Sequence, residues 1–360
     1  MSTLDIPASV ADDEAKRLAR TIQKGFPLER DPWSTLARDT GSARDAVLET
    51  MRRWSRGGEL REVSAVFEGE ALGYESALVA ASVATDDLER VARVVCAHPT
   101  VTHCYERSYA RAGAAGAPPN LWFTIAVPPR MGLAATLHLL EGEAGQSNGA
   151  FIPLRRGRTF KIGVSFDLET RANDTGTAAA HPISTFTPTS SEISMIRALQ
   201  APLSLEDDPF AALATRAGVT PTELLDFAHR ALGGPMRRYV ATFRHRKLGV
   251  RGNGMVVWRI ADNDLERVGL TLAGAREVSH CYSRPPFKGF PYSLYSMIHG
   301  PDEAAVVEIA ERLARELAVT MGAEPEFEIL FSTREHKKTR LRYYLPELDA
   351  WWGARAGGDA

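Results

Sequence analysis

The sequence predicts an α+β protein of two tandem repeats, each a winged helix-turn-helix followed by a βαββαβ unit. Three observations carry this. The pattern His-Cys-Tyr-x-Arg occurs twice, as THCYERS (102–108) and SHCYSRP (279–285), so that His103 and His280 stand 177 positions apart. The same offset aligns FPLERDPWSTLARDTG (26–41) with LSLEDDPFAALATRAG (203–218). Between the halves, the region 171–191 contains NDTGTAAAHPISTFTPTSS, whose small, polar and Pro-containing content reads as a linker. Repeat one is therefore expected over 15–170 and repeat two over 192–350.

Within each repeat the first part is helical (15–70 and 192–247). Pro32, Leu36, Ala37 and Gly41 recur as Pro209, Leu213, Ala214 and Gly218: a helix started by proline and stopped by glycine, with a second helix following. GGELREVSAVFEGEALG (57–73) aligns without a gap to GGPMRRYVATFRHRKLG (233–249) and supplies a wing strand. The second part (71–170 and 248–350) alternates strand and helix. SALVAASV, DDLERVARVVCAH, THCYERSY, LWFTIAVP and MGLAATLHLLEGEA run in order, with FKIGVSFD expected to close the set. Repeat two gives GMVVWRI, DNDLERVGLTLAGA, EVSHCYSR, YSLYSMIHG, DEAAVVEIAERLARELAV and FEILFSTRE. Strand-helix-strand-strand-helix-strand is the ferredoxin-like motif.

Composition narrows the class. With 44% hydrophobic and 24% charged residues the chain is that of a globular protein with ample core for two domains. No apolar run reaches the roughly 18 residues of a membrane span, and the polar N-terminus lacks a secretory plan, so a cytoplasmic protein is expected. Three cysteines and no CxxC argue against a disulfide framework or a zinc site. Cys104 and Cys281 read as small packing residues.

A helix-turn-helix suggests DNA, but the second helices carry Asp45 and Glu49, and Glu223 and Asp226, on the turns that would face the groove. Acidic side chains there repel phosphate, so the element is expected to serve packing and the protein to bind no nucleic acid. Positive charge collects instead in repeat two. RRYVATFRHRKLGVR holds Arg237, Arg238, Arg244, His245, Arg246 and Lys247; HCYSRPPFKGFPY holds His280, Tyr282, Arg284, Lys288 and Tyr292; REHKKTRLRYY holds Lys338, Arg340 and Arg342. In repeat one Arg238 is matched by Glu62, Arg244 by Glu68 and Arg246 by Glu70. A basic run is ordinarily a solvated face. Three in one half of a chain with net charge −2 point to a polyanionic ligand, for which arginine forks are suited. Aromatic residues interleaved with them suit a flat ring or stacked bases, and equally a sheet core.

FPL-x3-P-x3-LA, R-x3-A-x-F-x4-LG, HPTVTHCYERS and NLWFT together resemble the siroheme decarboxylase family, over residues from about 15 to 350. The two-repeat chain resembles its fused type, found in haem d1 biosynthesis, with the winged-helix and ferredoxin-like architecture of leucine-responsive (AsnC/Lrp) regulators. The resemblance implies a carboxy-lyase that removes two acetate carboxyls from siroheme, a flat iron-containing ring with eight carboxylates, to give 12,18-didecarboxysiroheme. It implies no added cofactor, since the iron travels with the substrate. No P-loop and no GxGxxG after a strand contradicts this.

Losing carbon dioxide from an acetate arm requires an acid, which histidine can be near neutrality. His280 is the first candidate, as proton donor or axial ligand to the substrate iron. His245, Arg246 and Tyr282 complete the catalytic set. Arg237, Arg238, Arg244, Lys247, Arg284, Lys288, Tyr292, Lys338, Arg340 and Arg342 are expected to bind the carboxylates. His103, Tyr105, Arg107 and Arg61 form a possible second site in repeat one, which is otherwise expected to act as scaffold. Expected partners are siroheme, didecarboxysiroheme, a second copy in a homodimer, and other proteins of haem d1 biosynthesis. The competing reading is a tetrapyrrole-binding or DNA-binding regulator of the leucine-responsive type.

Overall fold

A computed structural model describes residues 13–110, 118–162, 185–244 and 252–356. The helical parts come first. α1 (Asp13–Lys24), α2 (Pro32–Thr40) and α3 (Arg44–Gly57) precede strand β1 (Leu60–Phe67). Asp31 accepts the Ser34 N–H at the start of α2, and Gly41, at φ +73°, ends it in a left-handed turn closed to most side chains. In repeat two α6 (Ser190–Leu199), α7 (Pro209–Ala217) and α8 (Pro221–Ala231) lead to β7 (Met236–Phe243). Gly218 repeats the left-handed stop at φ +72°.

The two helical units share one core. Trp33, Trp54, Phe210, Phe227 and Tyr239 bury together, and β1 pairs antiparallel with β7, Ser64 opposite Val240. The third helix of repeat one is turned on its partner: Arg44 pairs with Asp207 at 2.9 Å and Arg52 Nε donates to the Leu205 carbonyl at 2.9 Å. Trp33 Nε1 donates to the Glu206 carbonyl at 2.7 Å. Glu223 caps its own helix, exchanging hydrogen bonds with Thr220.

The alternating parts build one nine-stranded sheet. Repeat one contributes β2 (Glu75–Ala81), β3 (His103–Tyr109), β4 (Leu121–Val127), β5 (Ile152–Arg155) and β6 (Thr159–Ile162), with helices α4 (Leu88–Ala97) and α5 (Leu133–Glu143). Repeat two contributes β8 (Gly252–Trp258), β9 (Val278–Ser283), β10 (Leu294–Gly300) and β11 (Phe327–Lys338), with α9 (Asp262–Gly274) and α10 (Glu303–Met321); α11 (Pro346–Ala356) follows. The order is β5-β2-β4-β3-β11-β8-β10-β9-β6. Each half thus keeps the ferredoxin-like order, its last strand beside its first.

Two details depart from the sequence reading. The strand closing repeat one is Ile152–Arg155, not FKIGVSFD; Thr159–Ile162, within and just before that segment, adds to the far edge of repeat two beside β9. β11 is long enough to serve both halves, pairing with β8 over Phe327–Phe331 and with β3 from Leu330 to Lys338. Only residues 156–158 separate β5 from β6, the two edges of the sheet, and four Cα steps cover at most about 14 Å. The sheet therefore curls back on itself. Its inner face encloses Trp122, Leu154, Met255, Val257, Phe290, Tyr295 and Leu330 from both repeats. On the outer face α4 and α5 cover Val79 and Phe123, while α9 and α10 cover Val256 and Ile329. Most of the expected linker lies outside the described residues, and α6 begins at Ser190 behind a Thr189 cap. Among the described residues no helix is long and apolar enough to cross a membrane.

A cationic cleft as the candidate active site

Strand periodicity explains the odd pentapeptide. Side chains alternate along β3 and β9, so the cysteine of each copy faces the helices while histidine and tyrosine face inward. Cys104 packs under α4 and Cys281 under α9, both without exposed surface. His103, Tyr105 and Arg107 line the inner side of β3; His280 and Tyr282, with Arg284 just beyond the strand, line that of β9. The copies even match in detail: Arg107 donates to the Leu330 carbonyl at 3.2 Å and Arg284 to the Leu154 carbonyl at 2.5 Å.

Between this inner face and the β1–β7 ribbon lies a cleft of ≈ 380 Å³. Its walls mix the repeats: Glu68, Thr102, Thr124 and Arg156 from the first, Arg237, Tyr282, Arg284, Arg340 and Tyr343 from the second. Arg156 lies 2.7 Å from Glu70 and its guanidinium sits 5.9 Å from the Tyr282 ring centre. Arg237 stands 3.8 Å from Glu68, and Arg340 bonds Glu62 at 3.1 Å. Arg284 lies 5.8 Å from the rings of both Tyr282 and Tyr295.

Positive charge exceeds its local partners. Arg238 makes no ion pair among the described residues, and burial, followed by the charges of Arg237 and Arg340, pushes its pKa down to about 10. Burial holds Arg284 and Arg107 at about 10 as well. The buried Nε atoms of Arg107, Arg237, Arg238 and Arg284 have no hydrogen-bond acceptor among the described residues. Orphaned buried donors are costly in a finished core and ordinary in a site that takes an anionic ligand.

The histidines feel the same field. Burial, then the charges of His299, Arg237, His103 and Arg238, push His280 down to about 3. Burial, then Lys338, Arg61 and Arg107, push His103 to about 4. His299 falls to about 4 through burial and Lys338. The histidines of the two pentapeptides thus share one electrostatic environment.

The remaining sequence candidates are distributed unevenly. Arg342 stays close, 3.6 Å from Glu62. Lys338 and Arg61 are exposed and act on the histidines through charge. Tyr292 packs edge-on against Phe290 at 4.8 Å within the inner apolar cluster and does not line the cleft. Lys288 and Arg244 are exposed and do not line it either. His245, Arg246 and Lys247 lie outside the described residues. Of the aromatic residues interleaved with the basic runs, Tyr239 and Phe243 belong to the helical core, and Phe287 stacks on Phe290 at 5.1 Å; Tyr282 and Tyr343 line the cleft. Sequence reading missed Arg156, Glu68, Ser279 and His299. Arg156 was legible as the basic run LRRGR; His299 had only its two-residue spacing from Tyr295 and Met297 to mark it.

Two ferredoxin-like units joined in one sheet, each behind a helix-turn-helix and sharing a cationic cleft, define a tandem ligand-binding protein of the AsnC type. The family model described as AsnC-like ligand binding domain matches residues 71–161 and 247–337, and that described as Siroheme decarboxylase NirDL-like HTH domain matches 15–61. The siroheme decarboxylase of Hydrogenobacter thermophilus is 34% identical over 342 residues, covering 94% of this chain and 98% of that one. The crystal structure of the siroheme decarboxylase NirDL superposes with a TM-score of 0.74 at 30% identity, over 96% of this chain and 99% of that one. A second structure, of NirDL in co-complex with an iron-uroporphyrin III analogue, gives 0.73 at 29% over the same shares. The chain belongs to the siroheme decarboxylase family.

Proposed function

We propose that this protein converts siroheme to 12,18-didecarboxysiroheme, removing two acetate carboxyls as carbon dioxide in haem d1 biosynthesis. The observation that carries the reading is the surplus of guanidinium donors in and around the cleft, on the same inner face as His103 and His280, which adjoin its walls without being among them. A ring with eight carboxylates supplies the acceptors those donors lack. Carboxylates that are retained anchor the ring, and their binding energy orients the arm that reacts.

In each decarboxylation the bond from the methylene carbon to the carboxylate breaks and carbon dioxide departs. The bonding electrons pass into the attached pyrrole, and one proton then makes the methyl group. Two protons are therefore consumed per siroheme. His280 is the proposed donor. In the protein alone its pKa of about 3 keeps it neutral at pH 7; carboxylates brought beside it reverse that shift and load the proton where it is used. Tyr282 and Arg284 neighbour it on the same face, and His103 reaches the same field from repeat one. That arrangement favours a cleft served by both halves over repeat one as scaffold alone. The reaction as written takes no cofactor beyond the substrate's own iron. A cytoplasmic homodimer is the proposed form.

The test is anaerobic incubation of the purified protein with siroheme and mass analysis of the pigment. Loss of two carbon dioxide units, abolished in His280→Ala and reduced in His103→Ala, supports the reading. Siroheme bound but recovered unchanged makes the protein a carrier or sensor instead.

A further inference from the structure

β9 carries an irregularity where it matters. Met297 of β10 pairs with His280, yet the next residue, Ile298, pairs with Val278, so Ser279 is an extra residue in the ladder. In a regular strand Ser279 and His280 would face opposite sides; a bulge re-aims a side chain. The Ser279 hydroxyl lies 2.8 Å from His280 Nδ1 and 2.6 Å from His299 Nε2. His299 Nδ1 in turn meets Asn253 Oδ1 at 2.5 Å, the two residues being directly opposed on β10 and β8. Ser279 has no exposed surface, so water does not compete for these contacts. Repeat one keeps only the first link: Thr102 Oγ1 lies 3.1 Å from His103 Nδ1 but its other partner is the Thr124 hydroxyl at 2.9 Å, and Ala126 stands where repeat two has His299.

We propose that Ser279, His299 and Asn253 form a hydrogen-bonded relay that positions His280 and fixes which of its nitrogens exchanges the proton. This rests on His280 being the donor in siroheme decarboxylation. The direction of each bond follows from the far end. Asn253 presents a carbonyl oxygen, which only accepts, so His299 donates from Nδ1 and its Nε2 is left as an acceptor. The Ser279 hydroxyl has one hydrogen and two acceptors in reach, the Met297 carbonyl at 3.4 Å and that Nε2 at 2.6 Å; the shorter contact takes it, leaving the oxygen to accept from His280 Nδ1–H. Neutral His280 is thereby held with Nδ1 protonated and a lone pair on Nε2, which makes no hydrogen bond among the described residues. The proton that comes and goes is the one on Nε2. A second-sphere partner fixing tautomer and ring orientation is a recurrent use of such chains. Two protons are spent on each siroheme, so a ring that recovers the same tautomer after each transfer serves both steps. Repeat two therefore has the complete relay and repeat one does not, which assigns the principal proton donor to repeat two.

The experiment compares wild type with Ser279→Ala and Ser279→Thr, the latter borrowing the residue of repeat one. Serine to alanine keeps the bulge and removes only the hydroxyl. The relay predicts kcat lower by about 10- to 100-fold in Ser279→Ala, the usual cost of removing the partner that orients a functional histidine, with KM changed by less than about twofold. It also predicts a larger solvent deuterium effect on kcat, and recovery of most activity in Ser279→Thr. Independently of turnover, nitrogen-15 spectra of the histidines should show His280 protonated at Nδ1 in wild type and a mixture of tautomers in Ser279→Ala. Wild-type kcat in Ser279→Ala, an equal loss in Ser279→Thr, or a His280 protonated at Nε2 in wild type each overturns the relay. A wild-type protein that leaves siroheme unchanged while showing the Nδ1 tautomer removes the decarboxylase reading and leaves the geometry standing.

Discussion

Replacing Arg238 with methionine is expected to raise the melting temperature and weaken siroheme binding together. The guanidinium is buried beside Arg237 and Arg340, its pKa is held near about 10, and its Nε has no acceptor among the described residues. A fall from 12.5 to about 10 corresponds to roughly 3 kcal/mol of unfavourable charge, of which side-chain relaxation and water penetration leave about 1–2 kcal/mol. The charged form is the disfavoured one at every pH below about 10, so the gain is level across the neutral range. Methionine retains most of the apolar stem and adds no polar atom needing a partner. The net effect is a rise of about 1–3 °C in Tm. The same change removes a charge-assisted bond to a substrate carboxylate, about 1.5–3 kcal/mol, or roughly 10- to 100-fold in Kd. Thermal melts at pH 7.5 and anaerobic titration of siroheme absorbance read the two effects. A lower Tm would mean that Arg238 has an anionic partner in the protein. A higher Tm with unchanged affinity would mean that the arginine cluster is not where siroheme binds.

Three further outcomes are expected. His98, His103, His280 and His299 have pKa values of about 3 to 4, against about 6.5 unfolded, so the unfolded chain binds more protons below that value. Stability should fall as pH drops from about 6.5 towards 4, and a Tm flat across that interval in ligand-free protein would count against buried neutral histidines. Phe290→Ala deletes a ring that meets Trp122 at 5.5 Å and Tyr292 at 4.8 Å inside the cluster shared by the two repeats. It should cost about 3–5 kcal/mol, visible as a lower denaturant midpoint. Duplex DNA should not be retained at low salt, because Arg44 and Arg52 of the third helix are engaged with repeat two; steeply salt-dependent binding would restore the regulator reading.

Much of the local structure was legible. Pro32 to Gly41 and Pro209 to Gly218 read as helices because proline and left-handed glycine are local signals, and the left-handed turns at Gly41 and Gly218 bear this out. The two-residue period of HCYxR places histidine and tyrosine on one face and cysteine on the other without knowledge of any partner strand. Long-range pairing was not legible: FKIGVSFD looks like the fourth strand of its own repeat, and nothing local says that Thr159–Ile162 joins the opposite edge. Basic runs marked the right half, yet Tyr292, Lys288 and Arg244 do not line the cleft while Arg156, from the acidic half, does.

By itself the sequence determined the duplication, the order of helices and strands within each copy except the strand that closes repeat one, and the residue types gathered for a polyanion. Those follow from chain-local rules: propensity, capping, period and repetition. The tertiary structure alone decided that β11 stitches the halves into one sheet, that the sheet curls until its edges lie three residues apart, and that His103 and His280 share a field. It alone decided that a bulge turns Ser279 between His280 and an unremarked His299. Each of these depends on contacts between residues far apart in the chain, whose energies favour one register over the alternatives only after both strands are in place.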